Sequence, residues 1–261
     1  MRRKKRRDGE EFGMGREVVS GVNPVLEILR AGKRRVYRIW VLKSGKEEKF
    51  SHVCKLASER KVPIIYASRA EIFERSRIEK NQGIAAEVDE FQYSSLEDIL
   101  TCAKRDPKGH FIVVLDGILD PQNLGSIIRT SCLIGAHGVV IPKDNSSSIS
   151  PASTRASGGA VEHMMVARVV NIERTLRKFK EDGIWVIGCE LGGDDLYSFD
   201  LSGPLAIVFG SEGRGMRRLV RERCDKILSI PISPRGGVNS LNVSAAAAIF
   251  LGEVARRRLA R

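Results

Sequence analysis

The chain has 261 residues, 42% hydrophobic and 6% aromatic, with 44 Lys and Arg against 32 Asp and Glu for a net charge of +12. That length and apolar content build a core in one large domain or two smaller ones. No apolar run approaches the roughly 20 residues that span a bilayer, so a soluble protein is expected. The excess of cations points to a polyanionic partner, because Lys and Arg displace condensed counterions from phosphates.

Five cysteines, Cys54, Cys102, Cys132, Cys189 and Cys224, are scattered without a C-x-x-C pair, and only four histidines accompany them. This argues against a metal site and against a disulfide framework, and it fits a reducing cytoplasm. The run Met1-Arg2-Arg3-Lys4-Lys5-Arg6-Arg7 has no apolar stretch after it, so it is read as a basic disordered arm over residues 1–16 rather than a secretory signal.

Strand-like and helix-like segments alternate after the arm. Gly21-Val22-Asn23-Pro24 opens a first helix, with Asn23 as N-cap, Pro24 at the first helical position and Gly32 as the stop. Val36 to Leu42 reads as a strand, Glu47 to Lys61 as a helix, and Val62 to Ala67 and Ile84 to Val88 as further strands. A small α/β unit over 17–91 follows from this. Residues 92–108 form a linker with its own short helix, where Ser94 and Glu97 have capping-box spacing. A second α/β unit over 109–261 begins with nearly continuous apolar strands. These are Phe111 to Leu115, Gly138 to Ile141, Trp185 to Cys189, Leu205 to Phe209 and Ile227 to Ile232. Such runs between helices predict a buried parallel sheet. A last helix over Ser240 to Leu259 is Ala-rich early and Arg-rich late.

Three segments of the second unit carry candidate chemistry. In Leu115 to Arg129 a strand ends, a polar turn follows and a helix starts. Strand C-termini face the crevice where α/β sheets bind ligands. Asn123 and Arg129 are six residues apart and would share a helix face if the helix began near Asn123. Taken alone, Arg129 is equally well read as a helix-border arginine paired with an acid. In Leu205 to Gly215 a buried strand runs into a G-x-x-G-x-G turn. That spacing differs from the dinucleotide-binding G-x-G-x-x-G, and the turn alone is also an ordinary tight connection. In Ile230 to Ser244 a short strand meets Pro and Gly before Ser240-Leu241-Asn242-Val243-Ser244 opens the last helix. Ser240 suits its cap, and Asn242, a poor helix former in a first turn, points to another job.

In this order the three segments resemble the signature motifs of the SpoU/TrmH family of SPOUT RNA methyltransferases. Phe209-Gly210-Ser211-Glu212-Gly213 and Ser240-Leu241-Asn242-Val243-Ser244 are the most specific pair. Gly21 to Glu27, Asn81 to Ala85 and Ala156 to His163 resemble the RlmB-like branch, which methylates a guanosine 2′-hydroxyl in bacterial 23S rRNA. The resemblance implies an α/β fold with a C-terminal trefoil-knotted domain on a parallel sheet. It also implies a small N-terminal RNA-binding domain similar to a ribosomal protein, S-adenosylmethionine as cofactor, and a homodimer with its site at the interface.

By motif position, Gly210, Ile230 and Leu241 would contact the cofactor. Arg129 would be the central catalytic residue, with Asn123, Glu212, Ser240 and Asn242 around it. A guanidinium holds its proton at neutral pH, so Arg129 is better suited to clamp an alkoxide and its phosphate than to act as base. Ser233 to Gly237 is about two residues longer than in many relatives, which would reshape the cofactor loop or add a phosphate contact through Arg235.

Three rival readings follow from the same residues. A tRNA ribose methyltransferase shares the chemistry but generally lacks this N-terminal unit. A non-enzymatic rRNA-binding assembly factor leaves the motif residues unexplained. A nicotinamide-dependent oxidoreductase conflicts with the glycine spacing and the basic charge.

Overall fold

The computed structural model describes residues 15–43, 47–233 and 239–259. Residues 1–14 of the basic arm and Arg235 with its neighbouring glycines lie outside the described residues. The arm reading ends too late, because Arg16 already opens strand β1 (Arg16–Ser20).

The smaller unit continues with α1 (Val22–Ala31), β2 (Val36–Leu42), a 3-10 turn at Glu47–Phe50, α2 (Ser51–Glu59), β3 (Ile64–Ala67), α3 (Arg69–Ser76) and β4 (Ile84–Asp89). Its four-stranded sheet runs β1-β4-β2-β3, antiparallel except for the β2–β3 pair. Strand alternation sends Ile39, Val41, Ile84 and Ala86 towards Val25, Ile28 and Leu29 of α1. Trp40 and Ala85 face Ile72 of α3 on the other side. Asn23 does not cap α1. Gly21 holds that position, and the Val22 amide is satisfied from outside by Gln82 Oε1 at 2.9 Å. Gly32 does stop the helix, in the left-handed conformation.

The larger unit comprises α4 (Leu96–Ala103), β5 (Phe111–Asp116), α5 (Pro121–Leu133), β6 (Gly138–Pro142), α6 (Pro151–Ala156), a 3-10 turn at Ala160–His163 and β7 (Val166–Val169). It then adds α7 (Ile172–Glu181), β8 (Trp185–Asp195), β9 (Leu205–Gly210), α8 (Arg218–Arg223), β10 (Lys226–Ser229) and α9 (Val243–Leu259). Its sheet is parallel throughout, in the order β10-β8-β9-β5-β6-β7. Every residue of β5, β6 and β9 is buried, which explains their continuous apolar runs. Val113, Leu115, Ile207 and Phe209 pack on Leu124 and Ile127 of α5 and Phe250 and Leu251 of α9. Ile112, Val114, Ala206 and Val208 pack on Ile99 of α4, Phe179 of α7 and Val220 of α8. The sheet is therefore covered on both faces. Strand β7, unmarked by the apolar pattern, closes one edge.

The linker reading needs correction. Helix α4 is capped by Ser95 with Asp98, not by Ser94 with Glu97, and Ile99 packs into the larger unit's core. The Ser94 amide donates to Val166 O at 2.9 Å, so this segment is part of the larger unit's edge.

The two units meet across a polar seam. Arg34, 4% exposed, donates through Nε and Nη2 to Glu162 at 3.2 and 2.5 Å, and through Nη1 to Glu17 at 2.5 Å. His163 Nε2 lies 2.7 Å from Glu27 Oε2, and Arg155 donates to Lys80 O at 2.7 Å. Gly159 sits so close to α1 that a Cβ there would lie 2.7 Å from the Glu27 side chain.

Candidate active site

Strands β5, β9 and β8 end at one rim of the sheet, and the three sequence motifs converge there. The order in which β9 enters between β5 and β8 makes this the topological switch, where open α/β sheets leave a crevice. A cavity of about 990 Å³ opens at this rim. The middle of β8, the end of β9, the loop 211–215, Ile230, Ile232, residues 239–243 and Ala246 line it.

Loop 211–215 folds back on its strand. Ser211 and Gly215 exchange backbone hydrogen bonds at 3.0 and 2.9 Å, which closes a tight turn. The turn leaves no space at Gly210, where a Cβ would lie 2.2 Å from the Gly215 carbonyl carbon. Gly215 holds a positive φ of 66°, which favours glycine, and a Cβ there would also strike Glu190 Oε1. Behind the turn, Asp116 at the end of β5 is 1% exposed and accepts from the Arg217 amide at 2.8 Å and from its Nε at 2.7 Å. A buried carboxylate thus ties motif one to the chain just after motif two.

Strand β8 supplies a wall through an irregularity. Its ladder with β10 pairs Gly188 with Ile227 and then Asp194 with Leu228, so 189–193 are skipped. Cys189, Glu190 and Leu191 in this stretch line the cavity. Glu190 accepts from the Met216 amide at 3.3 Å and from Arg221 Nε at 2.6 Å, bracing the glycine turn. Burial, reinforced by the Glu190 carboxylate, pushes the Cys189 thiol up to about 12. That wall is therefore a neutral thiol at physiological pH.

Asn123, Glu212 and Asn242 form one hydrogen-bonded cluster. Asn123 Nδ2 donates to Glu212 Oε1 at 3.2 Å, and Asn242 Nδ2 donates both to Asn123 Oδ1 at 3.0 Å and to Glu212 Oε1. The Val243 amide adds a third donor to Glu212 Oε1, at 3.2 Å. Asn242, not Ser240, caps the last helix. Its Oδ1 accepts from the Ser244 amide at 2.9 Å and the Ala245 amide at 3.3 Å, and α9 begins at Val243. Asn242 therefore looks like a poor helix former only if the helix is started two residues early. Its amide serves the helix with one end and the cluster with the other.

The structure brings Gly210, Ile230, Leu241, Ser240, Glu212 and Asn242 to the cavity lining. Arg129 is not among them. Helix α5 starts at Pro121 with Asp120 as cap and contains both Asn123 and Arg129; their six-residue step is about 1.7 turns, which puts them on different faces. Asn123 is 8% exposed and turned to the cluster, whereas Arg129 is exposed beside Gly158. Arg129 makes no hydrogen bond or ion pair among the described residues. Sequence reasoning missed the bracing roles of Asp116, Glu190 and Arg217. An acidic residue at a strand's C-terminal end was the available signal for Asp116. The same signal marked Glu190, which follows the expected strand Trp185 to Cys189, and nothing local marked Arg217.

A family profile described as SpoU rRNA Methylase family matches residues 110–252, and one described as RNA 2′-O ribose methyltransferase substrate binding matches residues 18–94. The chain is 39% identical over 243 residues to YacO of Bacillus subtilis, assigned to the TrmH family of tRNA/rRNA methyltransferases. The match covers 93% of this chain and 96% of that one. It is also 39% identical to an uncharacterized tRNA/rRNA methyltransferase of Mycolicibacterium smegmatis, over 93% of this chain and 77% of that one. Among solved structures, the SpoU methyltransferase AviRb of Streptomyces viridochromogenes, in complex with AdoMet, superposes with a TM-score of 0.77. It covers 95% of this chain and 92% of its own at 24% identity, a likeness of fold.

Proposed function

The chain belongs to the SpoU rRNA methylase family, and on that premise we propose that it transfers a methyl group from S-adenosylmethionine to a ribose 2′-hydroxyl of RNA. The finer reading is a guanosine of 23S rRNA. The observation that carries the chemistry is the Asn123–Glu212–Asn242 cluster. It joins three motifs, 89 and 30 residues apart along the chain, beside one cavity.

The cavity suits this cofactor. Its volume of about 990 Å³ lies at the upper end for small-molecule sites. Gly213 offers bare backbone, with nothing within 4 Å of a Cβ built there, and Ile230 and Leu241 offer apolar faces. Gly210, Ile230 and Leu241 would hold the cofactor. When bound, S-adenosylmethionine supplies a methyl already activated on a cationic sulfur.

Glu212, Asn123, Ser240 and Asn242 would orient the acceptor ribose for in-line attack, which can supply much of the rate. Arg129 would stabilise the developing alkoxide and grip the adjacent phosphate through its planar fork.

Arg129 lies outside the lining of its own chain's cavity, which supports a site completed by a second copy. Helices α5 and α9 pack side by side and expose Leu133 (75%) and Ile249 (39%), and Leu241 at the cavity is 40% exposed. In this reading those residues form the homodimer face. The trefoil knot belongs to the same reading. Its support is that α9, which follows edge strand β10 in the chain, packs on β9 and α5 in the interior of the sheet. Among the described residues no helix is long and apolar enough to cross a membrane, and a cytoplasmic location fits an rRNA substrate.

The test is incubation with labelled S-adenosylmethionine and unmodified large-subunit rRNA, with bulk tRNA in parallel. Label on a guanosine 2′-oxygen of rRNA, lost in Arg129→Ala, supports the whole reading. Label confined to tRNA keeps the chemistry and replaces the substrate. Absence of label together with absence of cofactor binding overturns the reading in favour of an RNA-binding assembly factor.

A further inference from the structure

We propose that the smaller unit holds a nucleotide pocket of its own, which grips substrate RNA at a fixed offset from the methyl-transfer cavity; this rests on the functional reading above. The pocket is a second cavity, of about 740 Å³, between the end of α1, the start of β2 and the turn from α2 to β3. Its floor is apolar, with Ile28, Val36 and Val62. Its rim carries Arg35, Arg60 and Lys61 beside Tyr37, and none of the described lining residues is acidic.

The charges on this rim are uncompensated. Arg35 and Lys61 are exposed, and neither has an ion-pair partner among the described residues. Arg60 donates only to a carbonyl, Arg30 O at 3.2 Å, which leaves its charge unneutralised. Lys61 sits at a φ of +55°, a left-handed backbone that lysine adopts at a cost. Tyr37 is held by a hydrogen bond from its hydroxyl to Asp89 Oδ1 at 2.8 Å. Its ring is covered by the guanidinium of Arg16 at 3.6 Å and that of Arg35 at 4.8 Å. Planar guanidinium and aromatic surfaces are what unstacked bases pack against, and unpaired cations around them attract phosphate. Anion capture beside an apolar floor and a flat stacked wall describes a site for one nucleotide of a single-stranded segment.

Arg34 supplies the fixed offset. It lines the same pocket, but its charge is spent on Glu17 and on Glu162 of the larger unit. The 3-10 turn that carries Glu162 packs on α5, the helix of Asn123 and Arg129. The pocket wall is thus bolted to the helix that bears two candidate catalytic residues.

The experiment compares the wild-type chain with Arg35→Glu/Lys61→Glu. Filter binding to a large-subunit rRNA transcript and to bulk tRNA is followed over a salt series, without cofactor, and methyl transfer is assayed in parallel. The expected result is an RNA affinity at least tenfold lower and a log–log salt slope shallower by about 1.4, two single-strand phosphate contacts. Melting temperature and S-adenosylmethionine affinity stay unchanged, and Arg35→Lys/Lys61→Arg binds as wild type. An equal charge reversal elsewhere, Lys104→Glu/Arg105→Glu, changes affinity by less than twofold. Unaltered RNA affinity and slope in the pocket variant, or an equal loss in the control, overturns the proposal. Reduced binding in the pocket variant, with no methyl transfer by any chain, keeps the pocket and refutes the methyl-transfer reading. Methyl transfer with an unaltered KM for RNA refutes the pocket and keeps that reading.

Discussion

Replacing Gly210 by Ala perturbs the cofactor cavity through a single methyl group. The added Cβ would lie 2.2 Å from the Gly215 carbonyl carbon and 2.3 Å from the Met216 nitrogen. Carbon contacts are comfortable from about 3.5 Å, so a gap of about 1.3 Å must open. The strand cannot yield, because Gly210 is in register with Asp116 in the middle of the sheet. The turn must therefore move, against the Met216 amide bond to Glu190 and the Arg217 clamp on Asp116. Overpacking of this kind costs about 1–3 kcal/mol. At about 2–4 °C per kcal/mol for a protein of this size, the melting temperature falls by roughly 2–12 °C. Carried into the bound state, the same cost of about 1–3 kcal/mol lowers S-adenosylmethionine affinity by calorimetry roughly 5- to 150-fold. Gly183→Ala, away from the cavity, is the control, since no atom lies within 4 Å of its Cβ and only its φ of +75° is strained. It should lose about 1–2 kcal/mol of stability and keep most of the affinity. Affinity within threefold of wild type in Gly210→Ala would refute the packing argument.

Other perturbations read different parts of the molecule. Arg129→Ala should abolish methyl transfer yet leave S-adenosylmethionine affinity within twofold, since Arg129 does not line the cavity; Arg129→Lys keeps charge but loses the fork and should turn over at least tenfold more slowly. Near-normal turnover in the lysine variant sinks the clamp. Glu162→Ala leaves Nε and Nη2 of Arg34, whose side chain is 1% exposed, without their carboxylate and Glu17 as the remaining partner, and should destabilise the fold by about 3 kcal/mol in urea melts; the triple variant Glu17→Gln/Arg34→Met/Glu162→Met, which removes all three charges, should recover much of this, and additive losses would contradict a coupled network. Burial raises the Cys189 and Cys224 thiols to about 12, assisted by the charge of Glu190 and of Asp225 respectively, so both stay neutral as pH rises from 7 to 9. Iodoacetamide at pH 8 should therefore label exposed Cys102 first, and rapid labelling of half-buried Cys189 by mass spectrometry would contradict its neutral state.

Local chemistry made much of the architecture readable. The strands β5, β6 and β9 were legible because burial on both faces demands unbroken apolar runs. Strand β7 was not, because only two of its four residues are fully buried and its edge position relaxes the pattern. Helix starts went astray where capping came from far along the chain, as Gln82 does for α1. The start of α9 went astray because Ser240 and Asn242 are both good caps, and only the pull of Asn123 and Glu212 favours Asn242.

By itself the sequence determined the fold class, the three motif segments and the basic character, since each follows from residue type and short-range spacing. The tertiary structure alone decided which of those residues meet. Asn123, Glu212 and Asn242 come together because β5, β9 and the start of α9 end at the same rim, a fact of strand order rather than spacing. Arg129 parts from them because both it and Asn123 lie within α5, where a six-residue step is about 1.7 turns and ends on another face. The Arg34–Glu162 lock joins positions 128 residues apart, and only packing of the two units could bring those charges into contact.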